Sequence, residues 1–60
     1  MGTTIFETQY ALATKFLLAK RYNRALEATW LAARDANTQD DHNLVSGLIT
    51  TIKYRRTYGI

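Results

Sequence analysis

Apolar side chains recur along this chain with the spacing of helices, in three blocks separated by short polar breaks. In the first block Ile5, Phe6, Tyr10, Leu12, Ala13, Phe16, Leu17 and Ala19 fill an arc of roughly 180° when residues are placed about 100° apart. That arc is wider than the ~100° stripe of a helix with one buried side. The pattern predicts a first helix over 4–20, covered on two sides and therefore central. Thr4-Ile5-Phe6-Glu7 has the form of a capping box, in which the hydroxyl accepts from an early N–H and the glutamate reaches back.

Lys20-Arg21-Tyr22 breaks the pattern, and Asn23 suits the N-cap of a second helix over 23–36. One side of it carries Ala25, Ala28, Ala32 and Ala36, all small enough to let a neighbouring backbone come close. Leu26, Trp30 and Ala33 lie on an adjacent side, and Leu31 falls among Arg24, Glu27 and Asp35. Asn37-Thr38-Gln39-Asp40-Asp41 reads as a turn, with Asp41 able to cap a third helix over 41–57. Leu44, Leu48 and Ile52, with Val45 and Ile49, keep the i, i+4 spacing of a helix against the strand preference of the neighbouring threonines. Gly59 fits an end signal. With connections this short, successive helices run antiparallel. The expected fold is a small all-α, three-helix antiparallel bundle forming one domain over 1–60.

Composition sharpens this picture. Sixty residues with 47% apolar content and no proline or cysteine suit a globular helical domain and exclude disulfides and thiolate chemistry. A domain of this size buries only about 60% of its unfolded surface, so its own core leaves it marginal, and domains of this size often add a disulfide, a metal or a partner chain. With His42 the single histidine, a metal is an unpromising source, which leaves oligomerisation or a partner chain. No apolar run approaches the roughly 20 residues of a membrane span and no secretory signal is evident. Phe6 stands where a myristoylation signal carries Ser or Thr. A soluble, cytoplasmic protein is expected, and caps at both ends suit a complete unit.

Aligned on Tyr22 and Ala25, residues 6–37 resemble a tetratricopeptide (TPR) hairpin, a repeat of about 34 residues. Leu12 and Ala13 match its Leu-Gly pair, Phe16 its next aromatic position and Ala32 its late small position. The chain departs from the family at Gln9, where tryptophan is usual, at Thr29, where an aromatic is usual, and at Asn37, where proline is common. Tyr22-Asn23-Arg24-Ala25-Leu26-Glu27 also resembles the second helix of MIT domains. Both resemblances imply a binding module for peptides or proteins. The TPR likeness implies a hairpin with the third helix as its cap.

Catalytic chemistry has little to draw on. There is no nucleophile–base set and no glycine-rich phosphate loop. Asp40-Asp41-His42 reads as a solvated helix start, and no cofactor is expected. Charge position says more. In an up–down–up bundle one pole collects Lys20, Arg21, Arg24, Lys53, Arg55 and Arg56, six of the eight basic residues, with Tyr22, Tyr54 and Tyr58 between them. The other pole collects Glu7, Asp35, Asp40 and Asp41. The basic pole has three readings: ordinary helix-end charge, a surface for an acidic protein, or a surface for nucleic-acid phosphates. Arg21 and Arg24 do not fit the first, because they stand at the positive start of the second helix.

Phe6, Tyr10, Leu17, Leu18, Trp30 and Leu31 form an apolar surplus over what three short helices cover, whereas Phe16, Leu12, Leu26, Leu48 and Ile52 suit plain core. The first functional expectation is therefore a non-enzymatic protein–protein interaction module, an adaptor, assembly factor or co-chaperone. It would bury Phe6, Tyr10, Leu17, Trp30 and Leu31 against a partner helix or a second copy. The second is a small nucleic-acid-binding protein with Arg21, Arg24, Lys53, Arg55 and Arg56 on phosphates and Tyr54 or Tyr58 stacking on bases.

Overall fold

The computed structural model describes residues 4–59. Met1–Thr3, read above against a lipidation signal, lie outside the described residues. Three α-helices form, α1 over Ile5–Leu18, α2 over Tyr22–Arg34 and α3 over Gln39–Tyr58. The chain is the small all-α bundle that the hydrophobic pattern predicts. Among the described residues no helix is long and apolar enough to cross a membrane.

Local chemistry sets the helix ends. Thr4 caps α1, accepting from the Glu7 N–H at 3.1 Å. At the other end of α1 the Lys20 N–H donates to the Leu17 carbonyl at 3.0 Å and the Arg21 N–H to the Phe16 carbonyl at 2.8 Å. This paired closure demands a left-handed residue between them. Lys20 supplies it with a φ of 61°, a conformation usually left to glycine.

The second helix then begins at Tyr22, ahead of the expected cap Asn23. Its N-cap is Arg21, whose side chain makes no capping bond. The third helix also starts early. Thr38 caps it in place of Asp41, accepting from the Asp41 N–H at 3.1 Å, while Asp41 Oδ2 accepts from the Asn37 N–H at 3.1 Å. The expected turn thus keeps only its first half. Gly59 ends α3 in the left-handed region with φ 69°, as its position predicts.

Two clusters make the core. Ala13, Leu17, Ala25, Leu26, Ala28, Leu48 and Ile52 form the larger. Phe6, Ala32 and Val45 form the smaller. The smaller joins the start of α1 to the end of α2 and the start of α3, so the helices alternate in direction. The central helix is α2, not α1: it packs along both neighbours, while α1 and α3 meet over only a small patch. Ile5, Leu12 and Ala19, which widened the apolar arc of α1, lie exposed. The buried positions of α2 span two sides, with Ala25, Ala28 and Ala32 on one and Leu26 and Thr29 on the other. The Cα atoms accordingly span 36 × 21 × 14 Å, an open layer of helices more than a cylinder.

Small side chains make this packing close. Ala13, Ala25 and Ala32 have no exposed surface, so each adds only a methyl group to the space between its helix and the neighbour. Thr29 is fully buried and donates its hydroxyl to the Ala25 carbonyl at 2.6 Å, so among the described residues no buried side-chain polar atom lacks a partner.

Enlarging Ala25 to leucine is expected to cost about 1–3 kcal/mol through overpacking, whereas Thr29→Val should stay within about 1 kcal/mol of the native protein. In the valine variant the Ala25 carbonyl keeps its helical N–H donor while the hydroxyl is removed outright. Thermal melts followed by circular dichroism check both. An Ala25→Leu protein melting at the native temperature would refute the close seam.

Candidate interaction surfaces

Burial sorts the predicted site residues. Phe6 and Leu17 belong to the core, at 8% and 7% exposure, so they are not part of an accessible docking face. The open layer still encloses them because Phe6 is held by Ala32 and Val45 across α2 and α3, and Leu17 sits in the larger cluster. Tyr10 is half-buried between the two clusters, its ring stacked 5.9 Å from that of Phe6. Trp30 and Leu31 remain out, at 55% and 43%. Leu12, expected in the core, is exposed, and Phe16 is half-buried.

Trp30 and Leu31 stand on the outward side of α2, away from both neighbouring helices. Together with Glu27 and Arg34 they line a shallow depression. An indole and a leucine flanked by one acid and one base form an apolar centre with a charged rim. Neither Phe6, Tyr10 nor Leu17 lines it, so the five predicted apolar residues do not make one surface.

The basic pole is partly assembled. Lys20, Arg21, Tyr22, Asn23, Arg24 and Arg56 line one open depression where the α1–α2 turn meets the end of α3. Arg56 Nη1 donates to Asn23 Oδ1 at 3.4 Å, which ties the last turn of α3 to the first turn of α2. No carboxylate lines the depression. The first turn of α2 also contains no acid, in contrast to Glu7 in α1 and Asp40 and Asp41 in α3. Four cations therefore share a site with the positive end of a helix dipole. Lys53 and Arg55 do not line it. Lys53 is exposed about one turn earlier in α3 than Arg56, and Arg55 is half-buried in the last turn. The Tyr54 and Tyr58 rings lie 4.7 Å apart at the same end of α3, both largely exposed.

Lys20 is the functional candidate whose geometry the pattern did not reveal. The pattern carried no sign of it: the connection from α2 to α3 also lacks glycine, yet no residue there takes the left-handed region. Among the described residues no group of three or more His, Cys, Asp or Glu side chains could hold a metal ion. No protein-family model matches this sequence, and neither a curated protein nor a solved structure matches it.

Replacing Lys20 with glycine should raise the melting temperature. The left-handed conformation costs a non-glycine residue about 1–2 kcal/mol, and glycine's greater unfolded-state freedom returns roughly 0.5–1 kcal/mol of that. A net gain of up to about 1.5 kcal/mol is expected from denaturant titration, aided by removal of one like charge. A loss of stability would show that the lysine side chain makes a compensating contact.

Proposed function

We propose that this chain is a non-enzymatic protein–protein interaction module that docks a partner on the outer face of α2. Exposed Trp30 beside Leu31, with Glu27 and Arg34 at the rim, carries this reading. Tryptophan is among the residue types enriched as interface anchors, and a surround of weaker contacts excludes water once a partner lands. The imbalance of the whole chain supports it. Among the described residues eight large apolar side chains are exposed, against six in the buried core. The likeness of residues 6–37 to a TPR hairpin points to the same class, an adaptor or assembly factor that binds a helical or extended protein segment.

Photo-crosslinking from position 31 tests it. A photoreactive residue replacing Leu31 should give one dominant cross-linked partner peptide by mass spectrometry. Trp30→Ala should reduce that product at least tenfold without changing the helical circular dichroism. Diffuse labelling unaffected by Trp30→Ala would overturn the proposal.

A second reading rests on a separate observation, the four cations of the pole with no acid among them. In this reading the pole binds nucleic-acid phosphates, with Arg21, Arg24 and Arg56 as direct contacts and Lys20 beside them. Fluorescence anisotropy with a labelled single-stranded oligonucleotide should then show affinity falling as salt rises, with a log–log slope near −3 for about four neutralised phosphates. The double variant Arg24→Glu, Arg56→Glu should abolish binding. Absence of binding at low salt, or a slope near zero, would remove this reading.

A further inference from the structure

One flank of α3 carries a seam that the bundle leaves largely open, with Thr51 half-buried and the other positions exposed. Asp40, Leu44, Gly47, Thr51, Tyr54 and Tyr58 are separated by alternating steps of four and three residues. On a helical wheel they fall within an arc of roughly 80°. This is the heptad spacing with which one helix lies along another. Leu44, Tyr54 and Tyr58 are exposed at 48%, 56% and 66%. The residues that face the core, Val45, Leu48 and Ile52, belong to a different stripe of the same helix.

Gly47 is the informative position. Mid-helix glycine costs about 1 kcal/mol relative to alanine, and packing inside the monomer does not require it, because an added Cβ would meet no atom within 4 Å. A glycine with open space above it is what a close approach from outside would use.

Charge along α3 identifies the occupant. The helix begins with Asp40 and Asp41 and ends with Lys53, Arg55 and Arg56. Such a helix complements a copy of itself running in the opposite direction, and its dipole does the same. We infer that α3 pairs antiparallel with α3 of a second copy of this chain, with Gly47 at the crossing. In the register that centres the seam on a two-fold axis, Gly47 of each copy faces Thr51 of the other, Leu44 faces Tyr54, and Asp40 faces Tyr58. Asp41 and Arg55 flank the seam on one side, so each acid approaches the other copy's base. A parallel pair would instead bring Asp40 and Asp41 together at one end and the arginines at the other. The seam is about 28 Å long and about 10 Å wide, below the standard interface area. A dissociation constant in the micromolar range or weaker is therefore expected. This pairing is independent of the α2 face, which stays free for another partner.

Sedimentation equilibrium from micromolar to about 1 mM protein tests it with two variants. Wild type is expected to shift from monomer to dimer across the series. Gly47→Leu should weaken association at least tenfold while raising the monomer's melting temperature, which separates a lost interface from a lost fold. Tyr54→Glu should weaken association as much. Orientation is read by mixing Gly47→Cys and Thr51→Cys proteins under oxidation. The antiparallel pair favours the 47–51 disulfide, and dominant 47–47 and 51–51 products would refute it. A monomer at every concentration overturns the inference. So does a dimer that survives Gly47→Leu and Tyr54→Glu but is lost on Trp30→Ala, which would place self-association on α2.

Discussion

The close seam of alanines along α2 governs the rest of the molecule, because it decides both how near the helices come and how little apolar volume they enclose. Among the described residues four of the ten buried apolar side chains are alanines. A methyl group contributes far less burial than a leucine, so the core is thin for its number of positions. The gain is proximity: backbones at alanine contacts approach closely, and dispersion between them replaces some of the missing side-chain volume. Larger side chains are displaced outward as a result. Leu12 and Leu18 on α1, Trp30 and Leu31 on α2, and Leu44 and Tyr54 on α3 are left exposed. The exposed apolar surface is thus the geometric consequence of an open three-helix layer with small residues at its centre.

A second constraint acts at the α1–α2 turn. With no glycine there, the paired hydrogen bonds that close α1 oblige Lys20 to take the left-handed region. The next residue, Arg21, then starts α2 without a side-chain cap. Both choices disfavour stability locally, and the like charges of Arg24 and Arg56 add to them. Local rules are most often broken where a surface does something other than hold the fold. The same turn would be more stable with glycine followed by an acid, and its present residues concentrate positive charge at a helix start.

Helix number, type and order were legible from spacing alone, since i, i+4 repeats such as Leu44-Leu48-Ile52 exceed what a strand allows. Helix ends were legible where a hydroxyl or a glycine marked them, as at Thr4 and Gly59. They were displaced where two good caps competed, as Thr38 and Asp41 did. The centre of the bundle was misplaced because periodicity measures the width of an apolar arc and not its depth. Ile5 and Leu12 widened α1 without being covered, whereas the alanines of α2 looked weakly apolar and proved most buried. That same ambiguity mixed Phe6 and Leu17, which are core, with Trp30 and Leu31, which are surface. The basic pole was readable because antiparallel order places helix ends together. Its inclusion of Lys53 and Arg55 failed: Arg55 is turned about 100° around α3 from Arg56, and Lys53, on nearly the same side as Arg56, stands a turn earlier, so neither lines the depression.

Charge segregation and the unused face of α3 together limit how copies of this molecule could assemble. Acids at one pole and bases at the other favour contacts between unlike ends. Joined head to tail, such contacts are heterologous and leave a free acidic end and a free basic end on every oligomer, so growth does not close. Laid side by side in opposite directions, the same charges are satisfied in a two-fold pair with no end left over. The apolar stripe on α3 runs along the helix and not across a pole, so burying it requires the side-by-side arrangement. The two demands, pairing unlike charge and covering the stripe, are met by one closed geometry. That geometry leaves the outward ridge of α2, with Trp30, facing solvent on both copies.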